Sequence, residues 1–183
     1  MQAVKNIEII KIIKVVLLVL LGTLLLTISA KIKIPFYPVP MTMQTFIVLF
    51  LGLALGPKIG LFTVGLYLCE GIFGLPVFAG TPEKGIGLTY FTGPTMGYLI
   101  GFLFASFLAG SMNFKVNIFL IFIKLTFATS IIYILGVFWL GNLIGWEKPI
   151  IQLGVIPFVL AEFFKICLLT VLAKKIISTR KFI

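Results

Sequence analysis

Apolar residues in this chain gather into long runs, and most polar residues fall in short breaks between them. The first run covers residues 7–30, with Lys5, Lys11 and Lys14 at its start. Others cover 42–56, 59–73, 95–112, 118–140 and 150–173. A helix of about 20 predominantly apolar residues crosses a bilayer, so each run predicts a span, the shorter ones at the low end of that length. A basic start before an apolar run also describes a signal peptide. Here the apolar stretch is long for one and the small-x-small cleavage pattern is poor, so a retained first span is expected.

The breaks carry their own signals. Pro35, Pro38 and Pro40 follow Lys31 and Lys33 and favour an extended path over a helix. Gly56-Pro57-Lys58 reads as a tight turn. The longest break, residues 74–93, is rich in Gly and Pro yet also holds Leu75, Val77, Phe78, Ile86, Leu88, Tyr90 and Phe91. Disorder disfavours that many apolar residues, so a packed loop lying over one end of the molecule is predicted. Residues 113–117 form a short turn with Lys115, and residues 141–149 another, with Trp146, Glu147 and Lys148. Lys174-Lys175 stop the last run, inside which Pro157 either kinks the helix or marks its true start. The predicted fold is an all-α integral membrane protein. It is a single domain over residues 1–183, with six transmembrane helices and a long structured extracellular loop between helices 3 and 4.

Composition supports a lipid-facing surface. Apolar residues make up 61% of the 183 positions and charged residues 11%, against about 45–50% and about 25% in soluble domains. The net charge of +10 would suggest nucleic acid in a soluble protein. Here the cations flank apolar runs, which points to anionic headgroups and argues against nucleic acid. With an even number of spans the termini share a side. That side would hold Lys5, Lys11, Lys14, Lys58, Lys115, Lys174, Lys175, Arg180 and Lys181, and the other Lys31, Lys33, Lys84 and Lys148. The positive-inside rule then predicts cytoplasmic termini in the plasma membrane and outward-facing Pro-rich and Gly-rich segments, with Trp139 and Trp146 near the outer interface.

The chain has no His and no Asp, and its acids are Glu8, Glu70, Glu83, Glu147 and Glu162. That argues against most metal sites and against a Ser-His-Asp arrangement. Cys69 and Cys167 lie in apolar runs and read as small hydrophobes. No G-x-x-x-x-G-K-[ST] loop is present, so ATP hydrolysis would belong to another protein. No metal or cofactor is implied, and too few acids and bases lie in mid-membrane for an enzyme.

Ionisable residues inside a span are functional candidates because hydrocarbon makes them costly. Glu162 and Lys165 stand three positions apart in the last run. Helical geometry puts them on one face, about 4.5 Å apart along the axis. Together they offer acceptors and donors suited to a ligand with N–H groups beside a carbonyl, such as a ureido ring. The alternative is a self-neutralising ion pair joining two helices. Glu70 either lines a pocket or lies at headgroup level, and Lys124 reads as a snorkelling lysine. Gln44 and Thr42 either bind ligand or satisfy backbone groups freed by Pro40. Thr23 and Thr27 are spaced for close helix approach, or are small residues by chance.

Four blocks resemble the BioY-type substrate-capture subunit of energy-coupling-factor transporters, a biotin-specific family. They are Ile32-Lys33-Ile34-Pro35 with Pro38-Val39-Pro40-Met41-Thr42-Met43-Gln44-Thr45; Gly71-Ile72-Phe73-Gly74-Leu75-Pro76-Val77-Phe78-Ala79-Gly80; Gly93-Pro94-Thr95-Met96-Gly97-Tyr98-Leu99-Ile100-Gly101-Phe102; and Ile156-Pro157 with an acidic residue and, three on, Lys165. They follow the family's order and spacing over nearly the whole chain. The resemblance implies biotin bound near the outer surface, beneath the first and third loops. It also implies pairing with a transmembrane coupling component and two cytoplasmic ATP-binding subunits. Thr23 and Thr27 occupy positions that meet the coupling component in such families, where alanines are usual.

Three departures stand out. Glu162 replaces the usual Asp, Pro82-Glu83-Lys84 replaces a stretch that tends to have Gly and sometimes Arg, and Glu70 replaces an apolar residue. The reading that results has Glu162 accepting from ureido N–H groups and Lys165 donating to the ureido oxygen. Tyr98, Phe78 and Gly87 shape the walls, Gln44 is a further ligand contact, and Lys84 is placed to meet the valerate carboxylate. Alternatives are the same scaffold tuned to another vitamin, or an ion-coupled secondary transporter using Glu162 as a proton site.

Overall fold

The computed structural model describes residues 2–35, 37–112 and 117–182, with side chains over 9–181 except in those gaps. Lys115 and most of its turn lie outside the described residues, as does the Lys5 side chain. In chain order the elements are helix α1 (Gln2–Lys31), strands β1 (Lys33–Ile34) and β2 (Met41–Thr42), and helices α2 (Gln44–Ile72), α3 (Gly87–Phe91), α4 (Met96–Gly110), α5 (Ile118–Ile144), α6 (Ile150–Gly154) and α7 (Ile156–Ser178). A single 3-10 turn, Thr179–Phe182, follows α7.

The segments Ile9–Lys31, Gln44–Ile72, Ile118–Ile144 and Ile156–Lys181 are each long and apolar enough to cross a membrane, and Met96–Gly110 is a shorter apolar helix. α2 is not one rod. Gly56 sits at φ 82°, ψ 176°, with Pro57 next, a backbone region that only glycine enters without strain. The Gln44 side-chain nitrogen donates to the Tyr67 hydroxyl at 2.8 Å across 23 residues, which a straight helix would hold roughly 34 Å apart. The two limbs, 44–55 and 57–72, therefore form a hairpin turning at the Gly56-Pro57-Lys58 break. Pro157 lies in the first turn of α7 after a break at Val155, where its missing N–H has no helical partner to lose. It marks a helix start rather than a kink.

Small residues let these helices approach closely. A methyl group at Gly52 would meet the Ser106 carbonyl of α4, and one at Gly101 would meet the Ile132 backbone of α5. α4 is thus wedged between the α2 hairpin and α5, and α7 closes the bundle against both. Inward positions include Leu26, Leu49, Leu53, Tyr67, Leu125, Ile132 and Leu169, all fully buried. Outward positions are equally apolar, among them Leu20 and Leu24 on α1, Phe127 and Phe138 on α5, and Leu160 and Val171 on α7. A surface so apolar on both sides of its helices belongs in a bilayer.

The C-terminal turn closes the end that carries the α2 bend. The Arg180 guanidinium donates to the carbonyls of Leu53 at 2.7 Å, Gly52 at 3.1 Å and Met112 at 3.2 Å. The last carbonyls of a helix have no partner within it, so this arginine caps the first limb of α2 and the exit of α4 together.

Candidate functional site

At the opposite end from Arg180, two non-helical segments interlock. β1 and β2 pair antiparallel, Lys33 opposite Thr42 and Ile34 opposite Met41. From the end of α1, Lys31 Nζ donates to the carbonyls of Phe78 at 2.9 Å and Thr81 at 2.8 Å. Lys33 Nζ reaches the Ala79 carbonyl at 3.0 Å and the Glu83 carboxylate at 3.3 Å. The segment between α2 and α4 is therefore pinned to the segment between α1 and α2. It packs through Phe78, which stacks on Tyr90 with centroids 5.3 Å apart and meets the Tyr67 ring edge-on. Phe78 lies over Gly71, where any side chain would strike its ring. Trp139 of α5 fastens the far end by donating to the Gly93 carbonyl at 2.9 Å. The predicted packed loop is present, and lysines hold much of it.

Beneath this cover lies a cavity of about 50 Å³, walled by residues from both segments and from α2, α4, α5 and α7. Its lining includes Gln44, Thr45, Phe78, Tyr98, Tyr133 and Glu162. Glu162 and Lys165 are 6% and 8% exposed, and Lys165 Nζ lies 2.8 Å from Glu162 Oε1. The Thr45 hydroxyl donates to the same oxygen at 2.8 Å and accepts from Lys165 at 3.0 Å. The third ammonium proton goes to the Thr42 carbonyl, at 2.7 Å, on strand β2. An ammonium has three donors, so Lys165 is saturated. Glu162 is not: its Oε2 is buried and meets no partner at hydrogen-bond geometry, although the Tyr133 phenol is near enough to interact with the carboxylate. A buried carboxylate in low dielectric depends on every donor around it.

The other residues singled out from sequence divide. Tyr98 stands in the wall with its hydroxyl donating to the Gly154 carbonyl at 2.9 Å. Gln44 stands there too, held by Tyr67, and the Thr42 hydroxyl faces the Gln44 amide oxygen at 3.2 Å. Lys165 sits behind Glu162 and Thr45 and is not itself in the lining. Gly87 and Lys84 do not line the cavity. Gly87 opens α3 at φ 63° with its backbone against the Ile72 carbonyl, and Lys84 is exposed on the loop. Glu70 is half-buried at the loop end of α2, and Lys124 is exposed on α5. Thr23 is 5% exposed and donates to the Leu20 carbonyl at 3.1 Å. Thr27 is half-buried and bonds the Thr23 carbonyl. Among the described residues no group of His, Cys, Asp or Glu could hold a metal.

Two residues of the site carry little signal in the sequence. Tyr133 carries a phenol in the middle of an apolar run, a polar tip that needs a partner there. Thr45 was visible only as part of a motif, because its partners lie 117 and 120 residues away.

A family model described as the BioY family matches residues 2–182. The chain belongs to the BioY family. A protein of Pyrococcus horikoshii named probable biotin transporter BioY is 37% identical over 152 residues, covering 83% of this chain and 89% of the relative. The biotin transporter BioY of Thermotoga maritima is 37% identical over 155 residues, covering 84% and 90%. A solved structure, the S-component for biotin from an ECF-type ABC transporter, superposes with a TM-score of 0.75 at 28% identity, covering 90% of this chain and 91% of that one. Family membership and the apolar surface together make this a membrane protein.

Proposed function

We propose that this BioY-family chain captures biotin as the substrate-binding subunit of an ATP-driven vitamin transporter. The observation that carries the reading is Glu162: a buried carboxylate lining the cavity, beside a saturated lysine and under a cover of two interlocked loops. A ureido ring offers the complementary groups. Its N–H groups donate to Glu162, and its carbonyl takes the Lys165 proton that now goes to Thr42. Ligand sites commonly measure about 300–1,000 Å³, and this cavity is about 50 Å³. Entry therefore requires strand β2 to withdraw as its Thr42 carbonyl is displaced. Gln44, Tyr98 and Phe78 wall the bicycle. Gly87 shapes the loop from behind, and Lys84 swings from the surface to the valerate carboxylate.

Six membrane crossings follow if both limbs of the α2 hairpin span. Both termini are then cytoplasmic in the plasma membrane. Lys11, Lys14, Lys58, Lys174, Lys175 and Lys181 are exposed at the end marked by Arg180, the distribution expected of a cytoplasmic face. A transmembrane coupling component and two ATP-binding subunits supply the energy, and the α1 face that carries Thr23 and Thr27 is the side that meets the coupling component.

Labelled biotin binding to the detergent-purified chain tests the site. Glu162→Ala and Lys165→Ala each weaken binding about 100-fold, the worth of one or two charge-assisted hydrogen bonds. Unchanged affinity in both variants removes the assignment. Competition by riboflavin, thiamin or lipoate in place of biotin would reassign the ligand, an outcome that Glu162 in place of the family's usual Asp makes worth measuring.

A further inference from the structure

A second hollow lies on the lipid side of the bundle. Helices α5 and α7 diverge around a groove of about 730 Å³, whose lining includes Thr129, Ser130, Tyr133, Trp146, Val159 and Phe163. It runs along α5 from Phe122 to Phe138, roughly 24 Å of helix. The Phe122 and Phe163 rings meet edge-on at one end, 6.3 Å apart. The exposed Trp146 stands at the other.

We propose that this groove holds one acyl chain of a membrane lipid, and that the chain seals the candidate site on its lipid side. The groove's hydroxyls make no demand on a polar guest. Thr126, Thr129 and Ser130 each donate to a carbonyl of their own helix, at 2.9, 2.9 and 2.8 Å, so apart from Tyr133 and Glu162 on the inner wall, methyl groups and rings form the working surface. Both walls are helices apolar enough to cross a membrane, so the medium at this depth is hydrocarbon. Water in an apolar hollow lacks partners, and an unfilled one forfeits dispersion contacts along its whole lining. A lipid tail is the apolar molecule the bilayer supplies at that depth. The headgroup lies at the Trp146 end, since tryptophan favours the interface, where the exposed Lys148 can meet a phosphate.

The sealing role follows from two shared side chains. Tyr133 and Glu162 line both the inner cavity and the groove, so the partition is one side chain thick. Hydrocarbon packed behind Tyr133 keeps water from the buried carboxylate and holds the phenol against the site. This half of the proposal rests on reading the inner cavity as the ligand site, and the lipid half does not.

The experiment compares wild type with Ser130→Phe/Val159→Phe, which fills the groove from its own walls, and with the milder Thr126→Leu at the groove edge. Phosphatidylglycerol retained by the detergent-purified protein is counted by native mass spectrometry. Contact is read from quenching of Trp146 by acyl-brominated phosphatidylglycerol in a Trp139→Phe background, which removes the other tryptophan. Wild type retains one lipid with saturable quenching. The filled variant binds it about tenfold more weakly or worse, and Thr126→Leu falls between. A wild type that retains none, or variants that all retain it as wild type does, overturns the lipid site. Biotin release is then timed with and without lipid. Stripping lipid speeds release from wild type but not from the filled variant. Equal release rates in wild type overturn the seal and leave the lipid site standing, and absence of biotin binding altogether would fault the site reading while the lipid count still decides the groove.

Discussion

Glu162 and Lys165 hold each other in the buried interior, so removing one strands the other. Lys165→Met leaves a buried, uncompensated carboxylate and lowers stability by about 3–5 kcal/mol, read from thermal melts in detergent. Glu162→Leu/Lys165→Met removes both charges and recovers most of that loss, because a buried pair replaced by apolar groups is often neutral. The double variant still fails to bind biotin. A variant as unstable as the single one would mean that the pair itself supports the fold. Both residues were legible in sequence as charges inside a span, since depth makes such groups conspicuous. Their orienting partner Thr45 was not, because a hydroxyl in an apolar run advertises nothing until the fold brings α2 to α7. Lys31 was hidden differently: it counted only as an outward charge, yet its ammonium carries the Phe78 and Thr81 carbonyls.

The loop between α2 and α4 depends on two contacts that can be tested separately. Lys31→Met removes the donors to the Phe78 and Thr81 carbonyls, hydrogen bonds worth about 1.5–3 kcal/mol each when the donor is charged. Limited proteolysis within residues 82–86 should speed up while the helices stay intact by circular dichroism. Gly71→Val places a side chain where the Phe78 ring lies, lifts the loop off its seat and abolishes biotin binding. Binding equal to wild type would show that the loop is not the cover. The mixture of Gly, Pro and aromatic residues in 74–93 was enough to expect a packed loop. Its seat was not legible, because Gly71 looks like any small residue in a span. The strand pair β1–β2 was equally silent: prolines announce an extended path but not which residues face each other across it.

At the scale of the whole molecule, the α2 hairpin decides topology. Gly56→Ala forces a methyl group onto a backbone at φ 82° and costs about 1–3 kcal/mol, seen as a lower melting temperature. Glu83→Cys should react in intact cells with a membrane-impermeant maleimide, and Lys175→Cys only after permeabilisation; the reverse pattern inverts the orientation. The bend was readable from Gly56-Pro57-Lys58, and the apolar runs located the long helices well, since hydrocarbon imposes one pattern on any span. What ties the last turn to the α2 bend was not readable. Arg180 reaches back across 127 residues to Leu53, so the final turn behaves as a rivet and not as a loose tail. Trimming the chain at Ser178 would leave three carbonyls bare at the membrane edge, whereas a purification tag appended after Ile183 spares them. Expression vectors for this chain should place their handle with that arginine in mind.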